Sequence, residues 1–183
     1  MSKSFNARRL DVTAFARVQG ELAGADLLQK YERLAQEVQG PAADVTIEWR
    51  AEGGQRKAAD GSLRPAIHLR AGATLPLTCQ RCMRAVDTPL EVDRHFVFVD
   101  DEDKAAALDD ESDDDVLVEA PDFDLHALLE DELLMALPLV PRHEQCPQDV
   151  KLSAQSTDFD AAQADKPNPF AALAALKDPA KRG

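Results

Sequence analysis

The sequence predicts an α+β fold, an antiparallel β-meander or open barrel packed with helices, which carries an acidic loop and a C-terminal docking segment. Two patterns lead to this class. Between residues 45 and 98, apolar and polar residues alternate, as they do in strands with one buried face. Between residues 125 and 137, leucines recur at helical spacing instead. The length of 183 residues suits one domain with tails.

Three stretches show the alternation expected of half-buried strands. Their apolar members are Val45, Ile47 and Trp49, then Ile67 and Leu69, then Leu90, Val92, Phe96 and Phe98. Glycine-rich residues 53–61 are expected to form a polar turn region between the first two strands. Leu75 and Leu77 lead into Cys79, so a short turn at residues 79–82 is expected at the tip of a hairpin.

Two regions are expected to be helical. Residues 11–38 indicate mixed helix with one short extended piece, from the spacing of Leu27, Tyr31, Leu34, Ala35 and Val38. The second helix is marked by Leu125, Leu128, Leu129, Leu133 and Leu137. Acidic Asp122 and Asp124 lie near its start, where the helix dipole favours negative charge, and Pro138 ends it.

Charge is unevenly distributed along the chain. The net charge is −13, yet residues 1–99 carry 14 basic and 12 acidic side chains. Residues 100–115 alone hold ten acidic residues and one lysine. This segment has too few apolar residues to become ordered, so an acidic disordered loop is expected there. A single domain over 1–146 is therefore expected, followed by a linker at 147–165.

The last part of the chain predicts a docking helix at 166–177, followed by a tail at 178–183. Asn168 can cap this helix, Pro169 suits its first position, and Phe170, Leu173 and Leu176 share one face. A stripe of three apolar residues must pack on something, either a partner or the protein's own sheet. No run of eighteen apolar residues occurs, so no membrane span is expected.

Cysteine and histidine spacing predicts a zinc site. Cys79 and Cys82 form a C-x-x-C pair, and His143 and Cys146 form an H-x-x-C pair. Together they supply the four thiolate and imidazole ligands that a closed tetrahedral zinc site needs. The alternative is a buried cysteine pair at a turn, with Cys146 free near the surface. A thioredoxin-like redox motif would open a helix, whereas this pair joins two predicted strands.

Arg81 and Arg84 flank the cysteine pair and are candidates for contact with RNA phosphates. A solvated strand face would show the same pattern. No nucleophile elbow or glycine-rich phosphate loop is found in the sequence.

The remaining acidic and histidine residues do not indicate a catalytic site. Adjacent Glu130, Asp131 and Glu132 do not face one another on a helix, so they are expected on a solvated or partner-facing edge. His68, His95 and His126 are each expected to be structural and not catalytic.

Three segments together resemble the YceD family, the large ribosomal RNA subunit accumulation proteins. They are residues 77–82 with the C-x-x-C pair, residues 128–143 with the leucine-rich helix and its proline-rich end, and residues 166–177. The resemblance implies a cytoplasmic, non-catalytic factor that supports synthesis, processing or stability of large-subunit (23S) ribosomal RNA. It implies as partner either that RNA or a ribosomal or assembly protein, with no membrane and no small-molecule substrate.

The residues alone leave two other classes open. One is a zinc-ribbon-like adaptor that binds another protein through the acidic half of the chain. The other is a thiol redox enzyme that uses the C-x-x-C pair. The polar N-terminus, which has no apolar stretch of signal-peptide type, and the odd cysteine count favour a reducing cytoplasm.

Overall fold

A computed structural model describes residues 5–41, 43–57, 61–109, 112 and 114–148. All described helices and strands lie within Met1–Cys146, one of the two units into which the chain divides. The predicted linker at 147–165 falls almost wholly outside the described residues. The predicted docking helix, with Phe170, Leu173 and Leu176, lies entirely outside them.

In the part of the chain that the structure describes, five strands form one open sheet in the order β1-β2-β3-β4-β5. The strands are β1 (Glu21–Leu27), β2 (Thr46–Lys57), β3 (Leu63–Thr78), β4 (Ala85–Val99) and β5 (Asp115–Val118). The first four pair antiparallel as a meander, whereas β5 pairs parallel to β4. With helices α1 (Val12–Arg17), α2 (Glu102–Asp109) and α3 (Leu125–Met135), this confirms the α+β class.

Residues 11–38 combine helix with one extended piece, as the sequence predicts, but the helical spacing from Leu28 onward belongs to 3₁₀ turns. Only α1 is α-helical; β1 follows it, and two short 3₁₀ turns occupy Leu28–Lys30 and Leu34–Gln36. Leu28, Tyr31 and Leu34 are all buried, whereas Leu27 is 45% exposed. Their spacing of three residues is the repeat of a 3₁₀ helix, in which every third side chain lies on one face. Over so short a stretch this repeat resembles the α-helical one, so the sequence pattern does not distinguish the two helix types.

The glycines at 53–54 lie inside β2 and not in the predicted turn, because Phe15 of α1 packs over the strand at this point. A Cβ atom on Gly53 would lie 2.7 Å from Phe15 Cδ1, and the Gly53 backbone N–H donates to the Gly20 carbonyl at 2.8 Å. Glycine here marks a close approach to the strand, which is one of its recognised meanings inside a sheet.

The core lies between one face of the sheet and helices α1 and α3. Its largest fully buried side chains include Phe15, Tyr31, Phe96, Phe98 and Leu125. The predicted helix near residue 125 is confirmed. It begins at the Asp124 cap, whose carboxylate accepts the Ala127 backbone N–H at 2.9 Å, and it ends at Met135, before Pro138.

The sequence predicts a loop throughout the acidic stretch 100–115. This is wrong for residues 102–109, which form α2. Joining parallel neighbours requires a crossover connection, and α2 lies in the crossover from β4 to β5. Its acidic first turn, Glu102 and Asp103, is exposed. Among the described residues, no helix is long and apolar enough to cross a membrane.

Candidate metal centre

The turn between β3 and β4 holds the first pair of sulfurs. The Cys79 backbone N–H donates to the Arg84 carbonyl at 2.8 Å, and the Met83 N–H donates to the Cys79 carbonyl at the same distance. Met83 has a φ of 59°, in the left-handed region that non-glycine residues seldom adopt. This tight turn places Cys79 and Cys82 on the same side of the hairpin tip.

The second pair reaches the hairpin tip from the segment that follows α3. The Gln80 backbone N–H donates to the Pro141 carbonyl at 2.8 Å, which fixes this segment against the turn. His143 and Cys146 follow within five residues. Because α3 packs on the sheet, the chain leaving its C-terminus is already directed toward the hairpin.

The structure brings all four predicted ligands together. The sulfur atoms of Cys79, Cys82 and Cys146 and a ring nitrogen of His143 lie within 4.8 Å of one another. The Cys82 Sγ to His143 Nδ1 distance is 3.4 Å. Metal–ligand bonds of about 2.0–2.3 Å in a tetrahedron separate neighbouring ligands by about 3.3–3.8 Å, so small side-chain shifts suffice to hold an ion.

The environment of Cys79 favours its thiolate. Burial raises the pKa of this thiol, because Cys79 is fully inaccessible to solvent. Backbone N–H groups of Cys82 and His143, with a further contribution from that of Arg81, donate to its sulfur and lower the pKa to about 5. Thiolate is the form that binds metal.

Cys82 shows the opposite effect. Burial raises the pKa of its thiol, and the neighbouring sulfurs of Cys79 and Cys146 raise it further, whereas the backbone N–H of Arg84 opposes them. Several sulfurs crowded together cannot all ionise without a compensating positive charge. A divalent cation supplies that charge, so the electrostatics of the cluster fit a metal.

Arg81, at the hairpin tip, hydrogen-bonds to the segment that carries His143 and Cys146. Its Nε donates to Cys146 Sγ at 3.0 Å, and its Nη2 donates to the carbonyls of His143 and Glu144 at 3.0 and 3.2 Å. Three of its five N–H groups are thus used inside the protein. This residue, predicted as a phosphate contact, therefore also has a positioning role.

Gln39 supports the turn and has no signal in the sequence pattern. Its backbone N–H donates to the Pro76 carbonyl at 2.7 Å, and its side-chain Nε2 donates to the Met83 carbonyl at 3.0 Å. The second bond holds the residue with the left-handed backbone. Gln39 directly follows the segment that the sequence predicts to be helical, and no local motif connects it with the hairpin tip.

The surface around the centre exposes apolar side chains as well as charged ones. Met83, Leu139 and Val140 are 64%, 99% and 60% exposed. Arg84 is exposed at the hairpin tip next to them.

The three adjacent acids of α3 do not all lie on a solvated edge, which corrects the expectation from the sequence. Glu130 is buried, and its carboxylate accepts the backbone N–H groups of Arg33 and Leu34 at 2.8 and 3.2 Å. The Arg33 guanidinium also contacts it, at 3.0 Å. Glu132 is buried too, whereas Asp131 is exposed. Glu130, on α3, thus caps the start of the second 3₁₀ turn by accepting its backbone N–H groups.

The histidines also have partners that the sequence does not reveal. His68 Nε2 lies 2.6 Å from a carboxylate oxygen of Asp93, although 25 positions separate them. His95 stacks on His68 with ring centroids 3.9 Å apart. His126 stacks on Tyr31 at 4.2 Å. The first two contacts arise from the β3–β4 register, which no local sequence pattern specifies.

Comparison with known proteins places the chain in a family. Residues 67–177 match the family described as "Large ribosomal RNA subunit accumulation protein YceD", and the chain belongs to that family. The matched region contains all four residues of the candidate metal centre.

A curated relative carries the same description. The Large ribosomal RNA subunit accumulation protein YceD of Haemophilus influenzae (strain ATCC 51907 / DSM 11121 / KW20 / Rd) is 40% identical over 106 residues. This match covers 55% of the chain and 59% of the relative, so it spans about three fifths of the relative's length. No solved structure matches the chain.

Proposed function

We propose that this protein supports accumulation of large-subunit (23S) ribosomal RNA as a non-catalytic, cytoplasmic binding factor. Membership of the YceD family is the observation that carries the proposal. The relative from Haemophilus influenzae is named for this role, and its 40% identity supports the transfer. Its partner would be the RNA itself or a ribosomal or assembly protein.

We further propose that Cys79, Cys82, His143 and Cys146 hold one zinc ion with a structural role. The ligand type, the 4.8 Å clustering and the N–H groups that donate to the sulfur of Cys79 support this. Four protein ligands fill a tetrahedral site and leave no position for a reacting water, so the centre suits folding and not turnover. Elemental analysis of purified protein, with one zinc per chain expected, tests the proposal.

A thiol redox enzyme is less well supported. Cys79 is fully buried and sits in a hairpin turn, whereas redox C-x-x-C motifs present an accessible thiol at a helix N-terminus. Alkylation tests this alternative: rapid modification of Cys79 by iodoacetamide in the folded, metal-loaded protein would support the redox class.

A protein-interaction adaptor remains the second candidate. The exposed apolar side chains of Met83, Leu139 and Val140 beside the centre favour it, because clustered exposed apolar residues commonly mark protein contacts. This candidate and the ribosomal one differ in what co-purifies with the protein after crosslinking in cells.

Two surfaces are proposed for partner contact. The first is the hairpin tip, where Arg84 with the remaining N–H groups of Arg81 would meet phosphate. The second is the predicted docking helix with Phe170, Leu173 and Leu176. Truncation after Asp165 tests the helix: an RNA defect without loss of stability assigns it to a partner, and a loss of stability assigns it to the fold.

The decisive experiment is complementation of a deletion strain. Loss of the gene is expected to lower the ratio of 23S to small-subunit ribosomal RNA, and the wild-type gene restores it. Cys82→Ser should fail to restore the ratio, whereas Asp131→Ala, an exposed change on α3, should succeed. Unchanged ratios in the deletion strain under all growth conditions would remove the ribosomal proposal and favour the adaptor.

Direct RNA contact needs a separate comparison. Arg84→Ala should weaken crosslinking of the protein to ribosomal RNA, whereas Arg17→Ala, an equally exposed arginine at the end of α1, should not. Equal effects would mean that any attraction is a general property of positive charge on the protein.

A further inference from the structure

A second cluster of metal-ligating side chains lies on the sheet face opposite the core. His68 on β3 is paired directly with His95 on β4, and Asp93 precedes His95 by two residues, on the same face of the strand. One ligand atom from each of the three residues lies within 4.8 Å of the other two. The cluster belongs to the middle of the sheet and not to the hairpin tip.

The distance to the cysteine centre makes the two clusters independent. Cys79 follows the end of β3, eleven positions beyond His68, so an extended strand separates them by roughly 30 Å. No residue is shared between the two groups.

The geometry points to a binding site for a divalent transition-metal ion at His68, Asp93 and His95, and we propose that function for this cluster. Two imidazoles and one carboxylate are a donor set that binds zinc, nickel, cobalt or copper ions, and three protein ligands leave positions for water. The site lacks sulfur, so it would hold its ion more weakly and exchange it more readily than the cysteine centre.

The ligand atoms of the three side chains lie close enough for side-chain rotation to bring them to a common ion. Asp93 is 68% exposed, and its oxygen already lies 2.6 Å from His68 Nε2. The two imidazole rings stack within 11° of parallel with their centroids 3.9 Å apart, so one ring must turn about its side-chain bonds before both can direct a nitrogen at one ion. An ion bound by His68 Nε2 and the Asp93 carboxylate would take the place of the hydrogen bond that now joins them.

Glu52 on the neighbouring strand β2 lies beside the site but is already engaged by another residue. Glu52 on β2 lies opposite His68, with its Oε2 3.7 Å from His68 Nδ1. The same oxygen accepts from Arg70 at 2.6 Å, so that ion pair already engages it. Water would therefore complete the coordination of an ion held by the three side chains.

Paramagnetic nickel titration of the full-length protein tests the proposal. The protein is first saturated with zinc and dialysed, so that the cysteine centre is filled, and Ni²⁺ is then added while histidine ring signals are followed by NMR. The His68 and His95 signals should broaden together, at one equivalent, before those of His126 or His143. Broadening of His143 first would show that nickel had entered the cysteine centre and would count against the site, and no broadening of His68 and His95 would overturn the proposal.

Substitutions provide the matched comparison. Asp93→Asn and His95→Gln should each weaken nickel binding by more than about 100-fold, since even partners outside the coordination sphere cost about 10–100-fold. Asp87→Asn is the control, because Asp87 is an exposed aspartate of the same strand and the same face. Equal affinity in Asp93→Asn and Asp87→Asn would refute the site. Asp93 is exposed, so its substitution tests the site even if His95→Gln does not fold.

Discussion

Replacing Glu130 should destabilise the protein far more than replacing its neighbour Asp131, although both pair with Arg33. Glu130 accepts the Arg33 and Leu34 backbone N–H groups, and its side chain is 11% exposed. Asp131 contacts the Arg33 guanidinium at 2.6 Å but is 51% exposed. The two acids therefore compare a buried and an exposed version of one ion pair.

The magnitudes follow from what each substitution leaves behind. Glu130→Ala leaves two backbone N–H donors without an acceptor, one of them on fully buried Leu34. Each unsatisfied donor costs about 1–3 kcal/mol of unfolding free energy. The Arg33 guanidinium is half exposed, so the ion pair itself adds only about 0–1 kcal/mol. We expect a loss of about 2–7 kcal/mol for Glu130→Ala and about 0–1 kcal/mol for Asp131→Ala.

Urea denaturation measures these differences. Fluorescence of Trp49, the sole tryptophan, reports unfolding of the sheet, and far-UV circular dichroism reports the helices. Coincident transitions by both probes justify a two-state free energy of unfolding. Equal losses for Glu130→Ala and Asp131→Ala would refute the argument that burial of the carboxylate decides the difference.

The same carboxylate predicts a pH dependence. Burial raises the pKa of Glu130, but the N–H of Leu34 and the N–H groups of Arg33 outweigh it, so the pKa lies below its ordinary value. A depressed pKa contributes stability that is present above the unfolded-state value of about 4.3 and is lost as the pH falls through the folded-state value. The gap in unfolding free energy between wild type and Glu130→Gln should therefore be largest above about pH 5 and shrink in acid.

Three further changes have expected outcomes. Removal of bound metal by a chelator should lower the melting temperature, and Cys82→Ser should show the lower value without chelator. If neither change lowers the melting temperature, the ion has no structural role. Gly24→Val should cost about 1–3 kcal/mol and alter Trp49 fluorescence, because a Cβ would lie 2.8 Å from the indole nitrogen, whereas Gly54→Val, with no atom within 4 Å, serves as the tolerated control. Glu102→Gln, at the exposed start of α2, should change the free energy of unfolding by less than about 0.5 kcal/mol; a larger loss would show that the acidic stretch carries part of the fold.

The elements that can be predicted from the sequence are those whose own residues carry the pattern. β3 and β4 alternate over long stretches, and the leucines of α3 have helical spacing with an aspartate cap, so each element can be recognised locally. The paired spacing of Cys79–Cys82 and His143–Cys146 likewise predicts that the four meet, because their chemistry requires it.

The remaining elements depend on tertiary contacts that a local pattern does not contain. β1 consists largely of small and charged residues with little strand preference, and it is a strand because it pairs with β2. Gly53 indicates a turn until Phe15 is known to pack above it. His68 and Asp93 come together only through the β3–β4 register, and a change of one residue in that register would place them on opposite faces.

The order of the ligands along the chain has a consequence for synthesis. His143 follows Cys82 by 61 positions, so at about 5–20 residues per second the second half of the centre emerges roughly 3–12 s after the first. During that interval the growing chain carries two thiols at a hairpin tip and nothing to complete their coordination. The ligand set can be completed only after α3 has been made. In metal-starved cells we therefore expect newly made chains in which the hairpin has formed and residues 137–148 have not yet packed against it.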